Sequence, residues 1–394
     1  MEWKEVRLGD FLAFNPKRSI KKNEVARKIT MDLLIPYSKQ IYNWTYEPYT
    51  GGAKFMNGDT IMARITPCLE NGKHSFISLL NQEEIAYGST EYIVLCGLDG
   101  ISDSEFVYYL SHTPLFKNTA IKSMVGSSGR QRAQVSVLEN LVMPVPSNIE
   151  DQKKIASILS SLDAKIENNN KINANLEAQA QALFKSWFVD FEPFQNGEFE
   201  DSELGRIPKG WKVDSIYEYI NIIYGAPYKS SLFNQDGNGY PLIRIRDLKD
   251  CSPQFYTAEL LPNTEFVEYG DIVAGMDADF IPHIWKGEKG LLNQRVCKIK
   301  TKSKKISNLY GLYLLKPQLE FVQSYKVGTT VSHLGKGDID RFKVILPPIE
   351  VVERFSALAN SLLNYMTKLA KETKTLSHLR DTLLPKLMSG EIEV

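Results

Sequence analysis

The chain has no excess of charge: over 394 residues, Lys and Arg number 47 and Asp and Glu number 47. A balanced sum neither announces nor excludes a nucleic-acid partner, because local patches decide that. Cysteine is scarce. Cys68, Cys96, Cys251 and Cys297 are scattered and form no CxxC pair. That argues against a zinc site and for reduced thiols in a cytosolic protein. No run of about 18 apolar residues occurs, so no membrane partner is expected. The opening MEWKEVRLGDF is charged and lacks a signal-peptide apolar run, so a cytoplasmic location is expected. No GxxxxGK[ST] phosphate loop is present; Gly328–Lys336 has the wrong spacing and reads as a tight loop. The Gly-rich cofactor loop and Asn/Asp-Pro-Pro-aromatic motif of an adenine methyltransferase are missing too. Leu346-Pro347-Pro348-Ile349 reads instead as a strand end running into a helix. Asp277, Asp279 and His283 fall short of a metal-ligand set, so no metal is expected.

What the chain does have is a long amphipathic helix, twice. From Pro146 to Trp187, apolar residues recur at Ile155, Ile158, Leu162, Ile166, Ile172, Leu176, Ala180, Leu183 and Trp187. Steps of three and four are helical, and they run for about ten turns. A narrow seam with polar flanks is the pattern of a coiled-coil strand, which needs a partner. The partner lies two hundred positions on. Ile149 matches Ile349, Ile155 Phe355, Ile158 Leu358, Leu162 Leu362, Ile166 Met366, Leu176 Leu376 and Leu183 Leu383. Both seams break alike, at Asn173 and Thr373. Asn169 and Asn173 are expected to set register at a cost in stability. A repeat of this kind governs the reading of the whole fold.

The repeat extends beyond the helices. Trp3 stands near the start of the chain and Trp211 near the start of its second half. A Gly-Asp turn leads into an expected strand in each half, at Gly58-Asp59 and Gly270-Asp271. Tyr-rich segments follow, with Tyr108 and Tyr109 in one and Tyr310 and Tyr313 in the other. Aromatic residues at helical spacing are expected in a core. A Val-Gly loop (Val125-Gly126; Val327-Gly328) and a strand ending in proline (Pro144; Pro347) close each half. Short β-branched runs between Gly, Pro, Asn and Asp indicate mostly strand. The stretches 13–57 and 222–269 do not align.

The expected organisation is a first globe at 1–145, a spacer helix at 146–190, an acidic linker at 191–209, a second globe at 210–347, and a second helix with its tail at 348–394. The expected fold class is α+β: two β-rich globes separated by two long antiparallel coiled-coil helices, with an internal pseudo-twofold repeat. An antiparallel pair places one globe at each end, roughly 50 Å apart at 1.5 Å per residue. A reader with that symmetry spans two half-sites. A shared frame with divergent filling implies two specificities.

Four segments carry a family resemblance. They are LGRIPKGW at Leu204–Trp211, LFKSWFVDF at Leu183–Phe191, LLPKLMSGE at Leu383–Glu391 and RITPCLENGK at Arg64–Lys73. With the length and the duplication, the whole chain resembles the specificity subunit of type I restriction–modification systems. The resemblance implies that each globe is a target recognition domain and that the helices are conserved spacers. It implies a DNA-binding subunit of a bacterial or archaeal restriction system, reading a bipartite, asymmetric site and catalysing nothing itself. Its implied partners are double-stranded DNA, two modification subunits and, through the complex, restriction subunits. S-adenosylmethionine, ATP and magnesium would belong to those partners, which methylate adenine and cleave. The chain itself would hold no cofactor.

Candidate DNA contacts follow from residue type. Lys17, Arg18, Lys21, Lys22, Arg27 and Lys28 form the densest basic run. It reads as a phosphate-tracking loop, against the alternative of a solvated surface. Arg130, Gln131 and Arg132 follow small residues; Arg and Gln read guanine and adenine edges. The alternative there is a helix-capping loop. Arg64 and Lys73 flank a turn within reach of phosphate. In the second globe the candidates are Lys229, Arg244, Arg246, Lys286, His333 and Lys336. Arg244 and Arg246 alternate with Ile243 and Ile245, placing both on one face of a strand that meets DNA or water. Lys298, Lys300, Lys302, Lys304 and Lys305 read as solubilising charges at a strand edge. The rival from another class is a protein-interaction scaffold, two adaptor globes on a coiled coil that bind no DNA.

Overall fold

The computed structural model describes residues 1–326 and 333–394; the Val327-Gly328 loop lies outside the described residues. Two compact units emerge, residues 1–168 with 375–394, and residues 169–374.

In the first unit the strands are β1 (Trp3–Arg7), β2 (Leu12–Phe14), β3 (Val25–Ile29), β4 (Thr45–Pro48) and β5 (Lys54–Phe55). They are followed by β6 (Asp59–Ala63), β7 (His74–Phe76), β8 (Ala86–Gly88), β9 (Tyr92–Gly97) and β10 (Val142–Pro146). Four short helices intervene: α1 (Leu8–Phe11), α2 (Ser104–Ser111), α3 (Pro114–Lys122) and α4 (Val135–Glu139). The long helix α5 spans Ile149–Phe188. The sheets are β1-β10, β2-β9-β6-β7 and β4-β3-β8-β5, with β3 and β8 parallel.

The second unit adds the hairpin β11 (Phe199–Ser202) and β12 (Gly205–Pro208), then β13 (Lys212–Ser215), β14 (Ile220–Tyr224), β15 (Tyr240–Ile243) and β16 (Tyr256–Thr257). Strands β17 (Phe266–Val267), β18 (Ile272–Gly275), β19 (His283–Ile284), β20 (Gly290–Leu292), β21 (Val296–Thr301) and β22 (Lys343–Leu346) complete it. Its helices are α6 (Asn308–Lys326), α7 (Lys336–Ile339) and α8 (Ile349–Ser389). The sheets are β13-β22, β14-β21-β18-β19 and β16-β15-β20-β17, with β15 and β20 parallel. The two strand orders match term for term. The repeat therefore includes the stretches whose sequences do not align. Strand pairing asks only for a buried, pleated surface, which many sequences supply.

Helix α5 starts where the sequence stops offering anything else. Asn148 Oδ1 accepts from the Glu150 amide at 2.9 Å, and Glu150 and Asp151 lie in the first turn, against the positive helix end. In the second unit Phe184 meets Phe355 at 5.9 Å and Asn169 Nδ2 donates to Glu372 at 3.1 Å, so α5 and α8 run antiparallel. In the first unit Ile155 and Leu159 share a core with Leu384, Leu387 and Met388, and Asp163 pairs with Arg380.

The buried stripe is not the expected seam. Ile155, Phe355 and Met366 are fully buried, but Leu358 is 51% exposed. Ile158, Leu162, Ile166, Leu176, Leu183, Leu362, Leu376 and Leu383 are only partly buried. The deepest line on α5 runs through Gln152, Ala156, Leu159, Asp163, Asn169, Asn173, Ala180, Phe184 and Phe188. Each helix packs on its globe as well as on its partner, which turns the buried face by about one position.

Each long helix ends against a tryptophan. In the second unit Trp211 lies 6.1 Å from Phe188, 5.4 Å from Phe191 and 5.0 Å from Phe194. In the first, Trp3 packs against the core that includes Leu387 and Met388. There Gly390, at φ 77°, leaves room that a Cβ would fill at 2.7 Å from the indole nitrogen.

One sequence expectation fails here, the edge charge at Lys298, and the linker gains a structure. The linker at 191–209 is ordered: a short helical turn at Glu192–Phe194 precedes the β11–β12 hairpin, and Phe191 and Ile207 are buried in the second core. Lys298 is not an edge charge. Strand β21 lies between β14 and β18, and Lys298 is 6% exposed, paired with Glu265 and Asp271.

Candidate nucleic-acid interface

The basic run in the first unit divides by direction. Arg18 turns inward, its Nη2 donating to Asp59 Oδ1 at 2.8 Å. Burial raises the Asp59 carboxyl from its ordinary value, and Arg18 opposes this only in part. Arg27 is 6% exposed; it donates to the Leu79 carbonyl at 2.8 Å and pairs with Glu84 at 3.0 Å. Lys28 pairs with Glu47 at 2.7 Å. Lys17, Lys21 and Lys22 are exposed, with no ion-pair partner among the described residues. The phosphate-tracking loop is thus reduced to three of its six cations, because Asp59, Glu84 and Glu47 claim the rest.

The structure adds aromatics that the charge pattern missed. The Arg27 guanidinium sits 4.5 Å from the Trp44 ring and 5.7 Å from the Tyr46 ring. Trp44 is 38% and Tyr46 59% exposed. The pair Trp44 and Tyr46, two positions apart where the chain enters β4, was visible in the sequence. Exposed aromatics beside cations are the usual platform for stacking on nucleic acid.

Loop Val125–Arg132 is closed at its base by two backbone hydrogen bonds between Val125 and Arg132, of 3.1 and 3.0 Å. The Arg132 side chain is held by Glu91, with Nε to Oε2 at 2.9 Å and Nη2 to Oε1 at 2.6 Å. Bonding to Arg132 lowers the Glu91 pKa. Gln131 is half-buried, and its carbonyl accepts from the Thr66 amide at 3.0 Å. Arg130 is exposed at the tip. The loop therefore offers Arg130 outward, while Arg132 is already engaged. Nearby, Arg64 donates to the Ala133 carbonyl at 3.3 Å and Lys73 to the Met31 carbonyl at 2.8 Å. Both hold backbone in place.

In the second unit β15 ends at Ile243, and a helical turn begins at Ile245. Arg244 and Arg246 therefore do not share a strand face. Arg244 stacks over Phe255 at 4.2 Å beside Asp247, and burial lowers its pKa. Arg246 and Lys229 are exposed. Lys286 is bound to Glu177 of α5 at 3.0 Å. His333 Nδ1 meets Asp277 Oδ1 at 2.6 Å, and Lys336 lies 3.6 Å from Asp340.

The exposed set of Lys17, Lys21, Lys22, Arg130, Lys229 and Arg246 can bind phosphate or base edges. Among the described residues no group of three or more His, Cys, Asp or Glu is placed to hold a metal ion. No helix among them is long and apolar enough to cross a membrane.

Comparison with known proteins bears on this surface. The family model described as the type I restriction modification DNA specificity domain matches residues 1–178 and 208–374. The MjaIX specificity subunit of a type I restriction enzyme from Methanocaldococcus jannaschii is 32% identical, over 75% of this chain and 70% of that relative. The HindI specificity subunit from Haemophilus influenzae is 24% identical over 99% of this chain and 100% of its own. The crystal structure of the type I restriction–modification S subunit from M. genitalium superposes with a TM-score of 0.52 at 17% identity. It covers 98% of this chain and 96% of that one.

Proposed function

We propose that this chain, which belongs to the type I restriction–modification DNA specificity family, reads a bipartite, asymmetric DNA site, one part per unit. As a specificity subunit it recognises DNA sequence and is not itself an enzyme. The observation that carries the finer reading is the pair of identical strand orders with different exposed side chains. One scaffold used twice with different surfaces suits two unlike half-sites. Phosphate contacts position such a reader, and base contacts specify. In this reading the chain docks two modification subunits that carry S-adenosylmethionine and methylate adenine. Restriction subunits using ATP and magnesium join through the complex, in the cytoplasm where the DNA lies.

Methylome sequencing tests this. A host carrying the chain with its modification subunit should gain a methyl-adenine motif of two short specific parts and a fixed gap, absent from a host lacking the chain. An assembled complex with no new motif would favour the protein-interaction scaffold, a reading to which the internal pairing of Arg18, Arg27, Arg132 and Lys286 lends some weight. A salt-dependent mobility shift with duplex DNA separates the two cheaply. Inserting one heptad into both α5 and α8, about 10 Å of helix, should keep both specific parts and widen the gap. An unchanged gap would remove the helices' role as a ruler.

A further inference from the structure

Two backbone hydrogen bonds place one small cluster at the same point of both units. In the first, the Arg64 amide donates to the Glu91 carbonyl at 2.9 Å and the Ala133 amide to the Arg64 carbonyl at 2.8 Å. In the second, the Met276 amide donates to the Arg295 carbonyl at 3.0 Å and the Leu334 amide to the Met276 carbonyl at 2.7 Å. Arg64 thus corresponds to Met276, Glu91 to Arg295 and Ala133 to Leu334. Isolated bridges extend the match, joining Ile65 to Arg132 in one unit and Asp277 to His333 in the other.

At one of these matched points, Glu91 against Arg295, the charge is reversed. In the first unit the acid, Glu91, precedes β9, and the cation, Arg132, lies at the loop base. In the second unit a cation, Arg295, takes the position before β21. The acid has moved to the bridge position: Asp277 holds Arg295 Nε at 3.4 Å and His333 Nδ1 at 2.6 Å. Each unit thus ties the basic residue at this junction to an acid, Arg132 to Glu91 and His333 to Asp277, with the acid seated at a different matched point.

We propose that Glu91 and Asp277 are positioning residues for DNA readout. Each clasps the residue that corresponds to the base of the first unit's closed loop, so that the neighbouring side chains meet DNA in one geometry. In the first unit the presented group is Arg130. The different seat of the acid makes the clasps non-interchangeable and keeps each unit's readout separate. The inference rests on the DNA reading above and adds which acids govern it.

The test uses the full chain assembled with its modification subunit, and competing duplexes altered in one specific part of the motif at a time. Glu91→Gln should reduce discrimination at one part about two- to fivefold, as loss of a half-exposed ion pair allows, and leave the other part unchanged. Asp277→Asn should do the reverse. The exchanged double variant Glu91→Arg with Arg132→Glu should restore discrimination at that part, while equal melting temperatures of parent and Glu91→Gln separate a readout role from a folding defect. Equal loss at both parts, unchanged discrimination in Glu91→Gln, or failure of the exchanged pair to restore it would overturn the proposal. If the parent complex yields no motif at all, the DNA reading itself fails, an outcome distinct from a parent motif that Glu91→Gln leaves intact.

Discussion

The two units meet one packing problem with different residues. In the first, the helix pair buries an ion pair: Asp163 and Arg380 are 2.8 Å apart, with side chains 9% and 13% exposed, and Tyr109 also donates to Asp163 at 2.6 Å. Two hundred positions away in the repeat, Asp163 corresponds to Leu363 and Arg380 to Ala180, both buried in the second core. A second exchange lies at the start of the helix behind each globe. Gln152 of α5 accepts from the Asp103 amide before α2 at 2.9 Å. Before α6 the Ser307 amide is held instead by Ser356 of α8, at 2.9 Å. What the fold requires at these points is volume and satisfied polar groups, not a particular chemistry.

The sharpest way to break the comparison is to remove the tryptophan that anchors each helix end. Trp211, buried among Phe188, Phe191 and Phe194, should cost about 4 kcal/mol when replaced by alanine. Trp3→Ala should cost about half as much, because Trp3 is only partly buried. Denaturant midpoints give both values, and equal losses would mean that the two anchors are equivalent after all.

A double-mutant cycle sharpens it next. Arg380→Ala leaves Asp163 buried without its cation and should cost about 3 kcal/mol. Asp163→Leu with Arg380→Ala imports the second unit's solution. That double variant should return to within about 1–2 kcal/mol of the parent, the residue being Tyr109's lost acceptor. A double variant no better than the single would show that the first unit depends on the charges themselves.

The smallest effect concerns pH. Burial lowers the pKa of both His74 and His112, the latter to about 4, with the hydrogen bond to the Tyr108 carbonyl opposing only in part. Their folded values lie below the ordinary value near 6.5. The unfolded chain therefore binds more protons between the two, and the stability present above about 6.5 is lost as pH falls toward 4. The loss should reach on the order of 2 kcal/mol, discounted because His112 is partly exposed. In the second unit burial lowers His283 alone. Hydrogen exchange corrected for intrinsic rates should show α2 losing protection before α6 between pH 7 and 5. Equal loss in both would remove the imidazoles as the cause.

Much of this was legible in advance. The helices announced themselves by period, the repeat by matched punctuation, and the core tyrosines by spacing: Tyr108, Tyr109, Tyr310 and Tyr313 are all nearly fully buried. The candidate interface was less legible. Arg18, Arg27 and Arg132 look identical in type to Lys21 or Arg130, yet they are claimed by Asp59, Glu84 and Glu91, which lie 41 to 57 residues away. Nothing local to a basic residue says whether such a partner will arrive. The β15 reading failed for a related reason: alternation through Arg246 suits a strand, but Asp247 accepts from the Arg244 amide at 2.9 Å and turns the chain.

By itself the sequence determined the elements whose causes are local or periodic. These are two long helices with matched breaks, a duplicated frame, and the family to which its motifs point. Helical periodicity survives without knowledge of neighbours, because each residue's face follows from the 3.6-residue turn. The tertiary structure alone decided that the unalignable stretches share one strand order, that Leu358 faces outward, and which cations remain free. Strand pairing and ion pairing join residues distant in the chain. Their outcome depends on which partners the folded backbone brings within a few ångströms, and the linear order does not contain that information in readable form.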